Sequence, residues 1–423
     1  MSIALLLVFT VGYLLIISES WIKINKTATA LLTGVLCWII FVFAEGSETA
    51  VIELSHHLSG ISEILFFLLG AMTIVELVDA HEGFEVITSR ITTTKKVKLL
   101  WIVSLLAFFL SAVLDNLTTA IVMVSLLRKL MDDKKERMLF AGMVIIAANA
   151  GGAWSPIGDV TTTMLWIGHQ ISALNIIQKL FFPSLVCMLV PLTFLSFKLK
   201  GNVQIPIQVS TNKKYETSVT ERNVVFFSAL FLLLLVPVFK TFTGMPPYLG
   251  ILLGLSVLWI LTELIHKSKV EEYKEQYSVA RAMQRIDVPS ILFFLGILLA
   301  IACLESFGIL QEMASYLASQ THSKTLVAIL IGLLSAVVDN VPLVAASMGM
   351  YEYKTDDFFW EFIAYCAGTG GSILIIGSAA GVAAMGMEKI EFGWYLKRIG
   401  MLALAGYAAG ALVYLFLEYF FHI

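Results

Sequence analysis

The chain has 423 residues, 58% of them apolar and only 14% charged, with a mean hydropathy of +0.87. Soluble chains carry about a quarter charged residues, so these figures exclude a water-soluble enzyme or binding domain and point to lipid as the solvent. A net charge of −3 with no basic tail excludes nucleic acid as a partner.

A spanning helix needs about 20 mainly apolar residues. In chain order, full-length spans are predicted at residues 2–18, 27–44, 61–80, 180–197, 224–240, 247–265, 288–307 and 401–420. Four further apolar stretches are broken. Residues 99–127 and 326–350 carry an Asp-Asn pair at their centre, and residues 139–166 and 358–387 carry Gly-Gly. Interrupted hydrophobic segments are where transporters keep their binding sites.

Lys and Arg mark the cytoplasmic side. They cluster at Lys23/Lys26, 90–98, 128–137, 198–222, 267–285 and 389–398, whereas residues 45–63 hold four Glu and no base. With every basic cluster inside, residues 99–127 begin and end inside, and residues 326–350 begin and end outside. Both stretches are therefore expected to be re-entrant hairpins. The other ten segments alternate, which puts both termini outside. The lack of a basic region before the first span argues against a signal peptide.

Two halves overlay. Ser111-Ala-Val-Leu-Asp115-Asn116 recurs as Ser335-Ala-Val-Val-Asp339-Asn340, 224 positions later, and Gly151-Gly152 with Gly158-Asp159 recurs as Gly370-Gly371 with Gly377-Ser378, 219 positions later. The expected fold is all-α and polytopic, with two inverted repeats of five crossings each, two re-entrant hairpins and two discontinuous helices. The boundaries are 1–197 and 223–423 for the repeats and 198–222 for a cytoplasmic linker.

An Asp at membrane depth costs about 2.5–3.5 kcal/mol on insertion scales, so Asp115 and Asp339 need a reason. One reading is a helix cap for the return limb. The other is a cation site, since a hard cation without its water needs several oxygen ligands. Asp159, Thr161, Thr162 and Thr163 beside an unwound glycine segment supply such oxygens. The second half has Ser378 where the first has Asp159, so one site biased toward the first half is expected, with Asp339, Asn340 and Ser378 as further contributors. A carboxylate in a dry pocket binds a cation or a proton in competition, which is the chemistry of antiport.

Other groups carry less. Glu76 and Glu305 lie late in corresponding spans and suit either a proton path or snorkelling. Asp79, His81 and Glu82 are expected to be solvated near an interface, and His56-His57 to sit on an outer loop. Ser155 lacks a nucleophile signature, neither GxSxG nor HExxH occurs, and no cofactor motif is present. Cys37, Cys187, Cys303 and Cys366 stand singly in apolar runs and read as core.

These motifs, at residues 111–124, 149–166, 335–342 and 368–386, together resemble the NhaD-type sodium/proton antiporters of the ion-transporter superfamily, over essentially the whole chain. The resemblance implies exchange of Na⁺ or Li⁺ for H⁺ across a bacterial-type inner membrane by alternating access, and a homodimer moving its transport portion against a scaffold. It carries the family's cation-binding positions onto Asp115, Asn116, Asp159, Thr162, Thr163, Asp339, Asn340 and Ser378, with Asn149 also similar to a family position. Dicarboxylate carriers of the superfamily have Ser-Asn-Thr at the hairpin tips; acids at these tips disfavour that alternative. The arsenite-efflux branch, with acidic tips, and a passive cation channel stay open as alternatives.

Overall fold

The computed structural model describes residues 2–204, 217–321, 323–337 and 339–421. Among them the chain is helical, and the only pairing of extended backbone is an isolated bridge between Lys95 and Asn202. α1 (Ser2–Ile17) and the short α2 (Glu19–Ile22) precede α3 (Lys26–Glu45), which Asn25 caps by accepting the Thr27 N–H at 2.8 Å. Next come α4 (Ser47–Ala80) and the short α5 (Glu85–Thr88). α6 (Lys96–Leu114), α7 (Asn116–Leu130), α8 (Lys134–Ala153), α9 (Val160–Ile167) and α10 (Ala173–Lys198) complete the first half. The second half runs through α11 (Val219–Thr243), α12 (Pro247–His266), the short α13 (Glu271–Gln276) and α14 (Val279–Met283), and α15 (Val288–Ser306). It continues with α16 (Ile309–Gln320), α17 (Lys324–Leu334), α18 (Asn340–Met350), α19 (Phe358–Gly370), α20 (Ala379–Glu388), the short α21 (Phe392–Tyr395), a π turn (Leu396–Gly400) and α22 (Met401–Phe421).

Among the described residues eight helical segments are long and apolar enough to cross a membrane, so the protein is a multi-pass membrane protein. One expectation fails at residues 45–63. The acidic connection is not a loop, because only Gly46, at φ 90°, separates α3 from the 34-residue α4. Glu48, Glu53 and Glu63 are good helix formers and no proline interrupts them, so the helix starts well before its apolar part. His56 and His57 accordingly lie on this helix, with the His57 ring 3.0 Å from the Ser306 hydroxyl. Of the 198–222 linker, residues 205–216 lie outside the described residues. The part before them returns to the first half, where the Val203 N–H donates to the Thr94 carbonyl at 2.8 Å.

Ion pairs show which helix ends share a face. Lys96, the first residue of α6, pairs with Glu136 in the first turn of α8, so the chain runs out along α6 and back along α7. Lys324, the first residue of α17, pairs with Asp357, the cap of α19, at 2.9 Å, and α17 and α18 likewise form an out-and-back pair. The two pairs enter from opposite faces. Arg128, Arg137 and Glu388 join the ends of α7 and α20 and the start of α8 on one face. On the other face the Asp356 N–H donates to the Gln170 carbonyl at 2.8 Å and the Asp356 carboxylate accepts the Ser172 N–H at 2.6 Å. α8 with α9 thus crosses from the basic face to the opposite one, and α19 with α20 crosses the other way.

α3 and α15 lie side by side and parallel. A Cβ on Gly34 would stand 2.6 Å from the Gly296 carbonyl oxygen, so the backbones touch, and the Thr27 hydroxyl donates to the Pro289 carbonyl at 2.9 Å. All four cysteines are buried and free, as their apolar settings imply.

Candidate functional site

Asp159 is 1% exposed and ends the six-residue break between α8 and α9. Its Oδ1 accepts the Thr161 N–H at 2.8 Å and the Thr161 hydroxyl at 2.7 Å. Its Oδ2 accepts from Asn116 Nδ2 at 2.6 Å, while Asn340 Nδ2 lies 3.2 and 3.3 Å from the two oxygens. The tips of both out-and-back pairs therefore reach the same carboxylate. Among the described residues no Lys or Arg pairs with Asp159. Asn149, fully buried on α8, continues the network: its Oδ1 accepts from Asn116 at 3.1 Å, and its Nδ2 donates to Ser372 and Ser378 Oγ, each at 2.9 Å.

Asn116, Asn149, Asp159, Asn340 and Ser378 thus meet, as the sequence leads one to expect. The remaining candidates are placed differently. Thr162 turns its hydroxyl back onto the Asp159 carbonyl at 2.9 Å. Asp115 caps α7, taking the Thr118 N–H at 2.7 Å and its hydroxyl at 2.8 Å. Asp115, Asp159 and Thr163 line a small cavity of about 20 Å³, otherwise walled by apolar groups such as Leu114 and Ile251, room for one water or a bare cation. Asp339 pairs with Lys26 at 3.5 Å. Ser372 is a member the sequence reading missed. Its counterpart at the repeat offset is Ala153, so the internal comparison carries no sign of it.

Four helices begin here, α7, α9, α18 and α20, and each is capped by its own side chain: Asp115, Asp159, Asp339 and Ser378. Asp115 and Asp339 thus take the helix-cap role that was one of their two readings, and Asp159 is a cap as well. Helix N-termini are partial positive charges that would cradle an anion. Here three of the four caps are carboxylates, which offset those partial positive charges.

Contacts recur at the repeat offsets. The Ser111 hydroxyl donates to the Ala148 carbonyl at 2.6 Å and the Ser335 hydroxyl to the Ala367 carbonyl at 2.8 Å. A Cβ on Gly152 would stand 2.4 Å from the Gly158 carbonyl oxygen, and one on Gly371 2.6 Å from that of Gly377. These glycines let each broken helix fold its unwound strand against its own end.

A cavity of about 600 Å³ lies on the basic face and reaches Leu117, Thr118 and Ala379, next to the caps. Glu19, Glu76, Asp79, Glu82, Glu85 and Asp287 line it against Lys26, Lys129 and Arg285, an acidic excess that raises the local cation concentration. Glu76 belongs to this wall, 3.8 Å from Arg285, whereas Glu305 packs against Gly349 of α18. His81 departs from its expected solvation. It is fully buried, its Nδ1 2.7 Å from the Leu77 carbonyl and its Nε2 2.9 Å from His266 Nε2.

A polytopic helical protein whose two broken helices and two hairpin tips converge on a buried acid is a membrane transporter. Comparison with known proteins agrees. The citrate transporter family profile matches residues 13–360. Sodium/proton antiporter 1 of Arabidopsis thaliana is 52% identical over 420 residues, covering 98% of this chain and 72% of the relative. The Na(+)/H(+) antiporter NhaD of Vibrio cholerae is 31% identical over 447 residues, 98% of this chain and 92% of the relative. The Alcanivorax borkumensis YdaH transporter shares the fold, with a TM-score of 0.55 at 12% identity over 89% of this chain and 90% of that one. The chain belongs to the NhaD-type sodium/proton antiporter family. Members of that family are transporters, not enzymes.

Proposed function

We propose that the protein exchanges Na⁺ or Li⁺ for H⁺ by alternating access, with Asp159 as the group that holds either the metal ion or the proton. The observation that carries this reading is a buried carboxylate reached from both hairpin tips, with amide and hydroxyl partners and no basic side chain. Uncompensated charge in such a place is costly, so the carboxylate is at rest with a cation or a proton on it. Asn116 and Asn340 present N–H groups to Asp159; on cation loading, rotation of either amide would offer its oxygen to the ion instead. Asn149, Ser372 and Ser378 hold Asn116 in reach, and Asp115 and Thr163 supply oxygens at the neighbouring cavity.

The repeated contacts at Ser111/Ser335 and Gly152/Gly371, with hairpins entering from opposite faces, support an inverted repeat of 1–197 and 223–423. With the basic face cytoplasmic, the acidic cavity opens inward and both termini lie outside. A homodimer and a plasma-membrane location in a bacterial-type cell complete the proposal on resemblance.

In everted vesicles holding a pH gradient, added Na⁺ should collapse the gradient, and Asp159→Asn should abolish that response. Retention of wild-type exchange by this variant would remove Asp159 from the mechanism. The match to a citrate transporter family favours a second reading, carboxylate uptake. Three acidic caps oppose it, and sodium-dependent accumulation of labelled citrate in the same vesicles would establish it instead.

A further inference from the structure

The two hairpin tips are not chemically equal. At the first, Asp115 receives a backbone N–H and a hydroxyl from Thr118, at 2.7 and 2.8 Å. The equivalent of Thr118 at the second tip is Pro342, which has neither group. Asp339 is left with one long capping bond, from the Val341 N–H at 3.4 Å. What it has instead is the Lys26 ammonium, 3.5 Å from its Oδ2.

Lys26 is not a loose surface side chain. It is the first residue of α3, whose start is held by the Asn25 cap and by the Thr27 bond to Pro289. Its ammonium also lies 4.5 Å from the centroid of the Phe293 ring on α15. Lys26 and Asp339 have side-chain exposures of 23% and 17%, and Lys26 is on the wall of the large acidic cavity. Lys26 rides on the α3–α15 pair, and Asp339 on the hairpin tip.

Resting on the antiport reading, we infer that Lys26 is a tethered cation filling the position at the second hairpin tip that a transported ion would otherwise take. The transporter then loads one metal ion, at Asp159, and Lys26 sets the charge carried per cycle. Lys26 is a specificity-determining residue acting through Asp339.

The test is equilibrium binding of ²²Na⁺ to the purified full-length protein, together with the current accompanying exchange in proteoliposomes. Wild type should saturate at about one Na⁺ per protein, and Lys26→Gln, which frees Asp339, should saturate at about two. The charge moved per ion should change in the same variant. Lys26→Arg should behave as wild type, and the double variant Lys26→Gln/Asp339→Asn should return to one site. A Lys26→Gln protein that exchanges ions with an unchanged number of Na⁺ bound and unchanged charge per ion overturns the inference. If Lys26→Gln does not fold, Asp339→Asn decides. The inference expects one Na⁺ still bound, whereas loss of Na⁺ binding makes Asp339 a ligand of the transported ion and refutes it. Failure of the antiport reading is distinguishable, because wild-type protein would then show neither Na⁺ binding nor sodium-driven proton movement.

Discussion

At Gly152 a single hydrogen atom keeps the site closed around its acid. A methyl group there would stand 2.4 Å from the Gly158 carbonyl oxygen and 3.1 Å from the Asp159 Cβ. The nearest obstacle is backbone, so it cannot swing aside. Gly152→Ala is expected to cost about 1–3 kcal/mol, the range for overpacking, and to displace Asp159. Thermal unfolding in detergent should show a lowered midpoint, with exchange falling more than the loss of folded protein accounts for. Asn149 makes a complementary case. Its amide touches Asn116, Ser372 and Ser378 at once, and Asn149→Ala would leave three buried polar groups short of a partner at about 1–3 kcal/mol each. Apparent affinity for Na⁺ should drop in that variant while the protein still reaches the membrane. Asp159 was legible in the sequence because a charged group at membrane depth demands a role, whereas Asn149 stood out only through the family resemblance. Ser372 was not, since one serine in an apolar helix is unremarkable until a partner is seen.

The elements that carry the site are half-helices, and their ends are tied down at the faces. On the basic face the buried Glu388 at the end of α20 is held at 2.7 Å by both Arg128 of α7 and Arg137 of α8. This brace ties the return limb of one hairpin, the start of one broken helix and the end of the other to one another. Glu388→Gln breaks a buried ion pair and is expected to cost about 3–5 kcal/mol, read as a loss of thermal stability. Restoring the charge as Glu388→Asp should recover part of it. The hairpin turns were legible because Asp-Asn interrupts an apolar run between like-facing charge clusters. The length of α4 was not, because an acidic run next to an apolar one resembles a connection, and glutamates are equally compatible with helix where no Pro stops them.

Across the whole molecule, pH acts at two places of different character. At Asp159 protons and Na⁺ are proposed to compete, so below the pKa of the acid the apparent KM for Na⁺ should rise about tenfold per pH unit, measured as sodium-driven proton movement at fixed voltage. Away from the site, burial pushes the His81 imidazole down to about 4. Its Nδ1 donates to the Leu77 carbonyl, which leaves the Nε2 lone pair facing His266. The unfolded chain takes up a proton here near 6.5 and the folded one only near 4, so the unfolded state binds more protons between those values. Stability therefore falls as pH drops through that window. His81→Phe should flatten the loss, seen as thermal midpoints that vary less between pH 7 and pH 5.

What the sequence by itself determined is what depends on local composition and order. Apolar length requires helices in lipid, charge clusters divide the two faces, and Asp or Gly pairs in apolar runs require breaks whose polar groups are satisfied by something. Only the tertiary structure decided which of these groups face one another. Asn116 lies 33 positions from Asn149, and Asn340 lies 181 from Asp159, and no periodicity records a contact of that range. The same limit separates the two hairpin acids. Asp115 and Asp339 are equivalent by offset, yet one is held by its own helix and the other by Lys26 from the start of the chain, because a missing N–H at Pro342 leaves a charge that only a distant residue compensates.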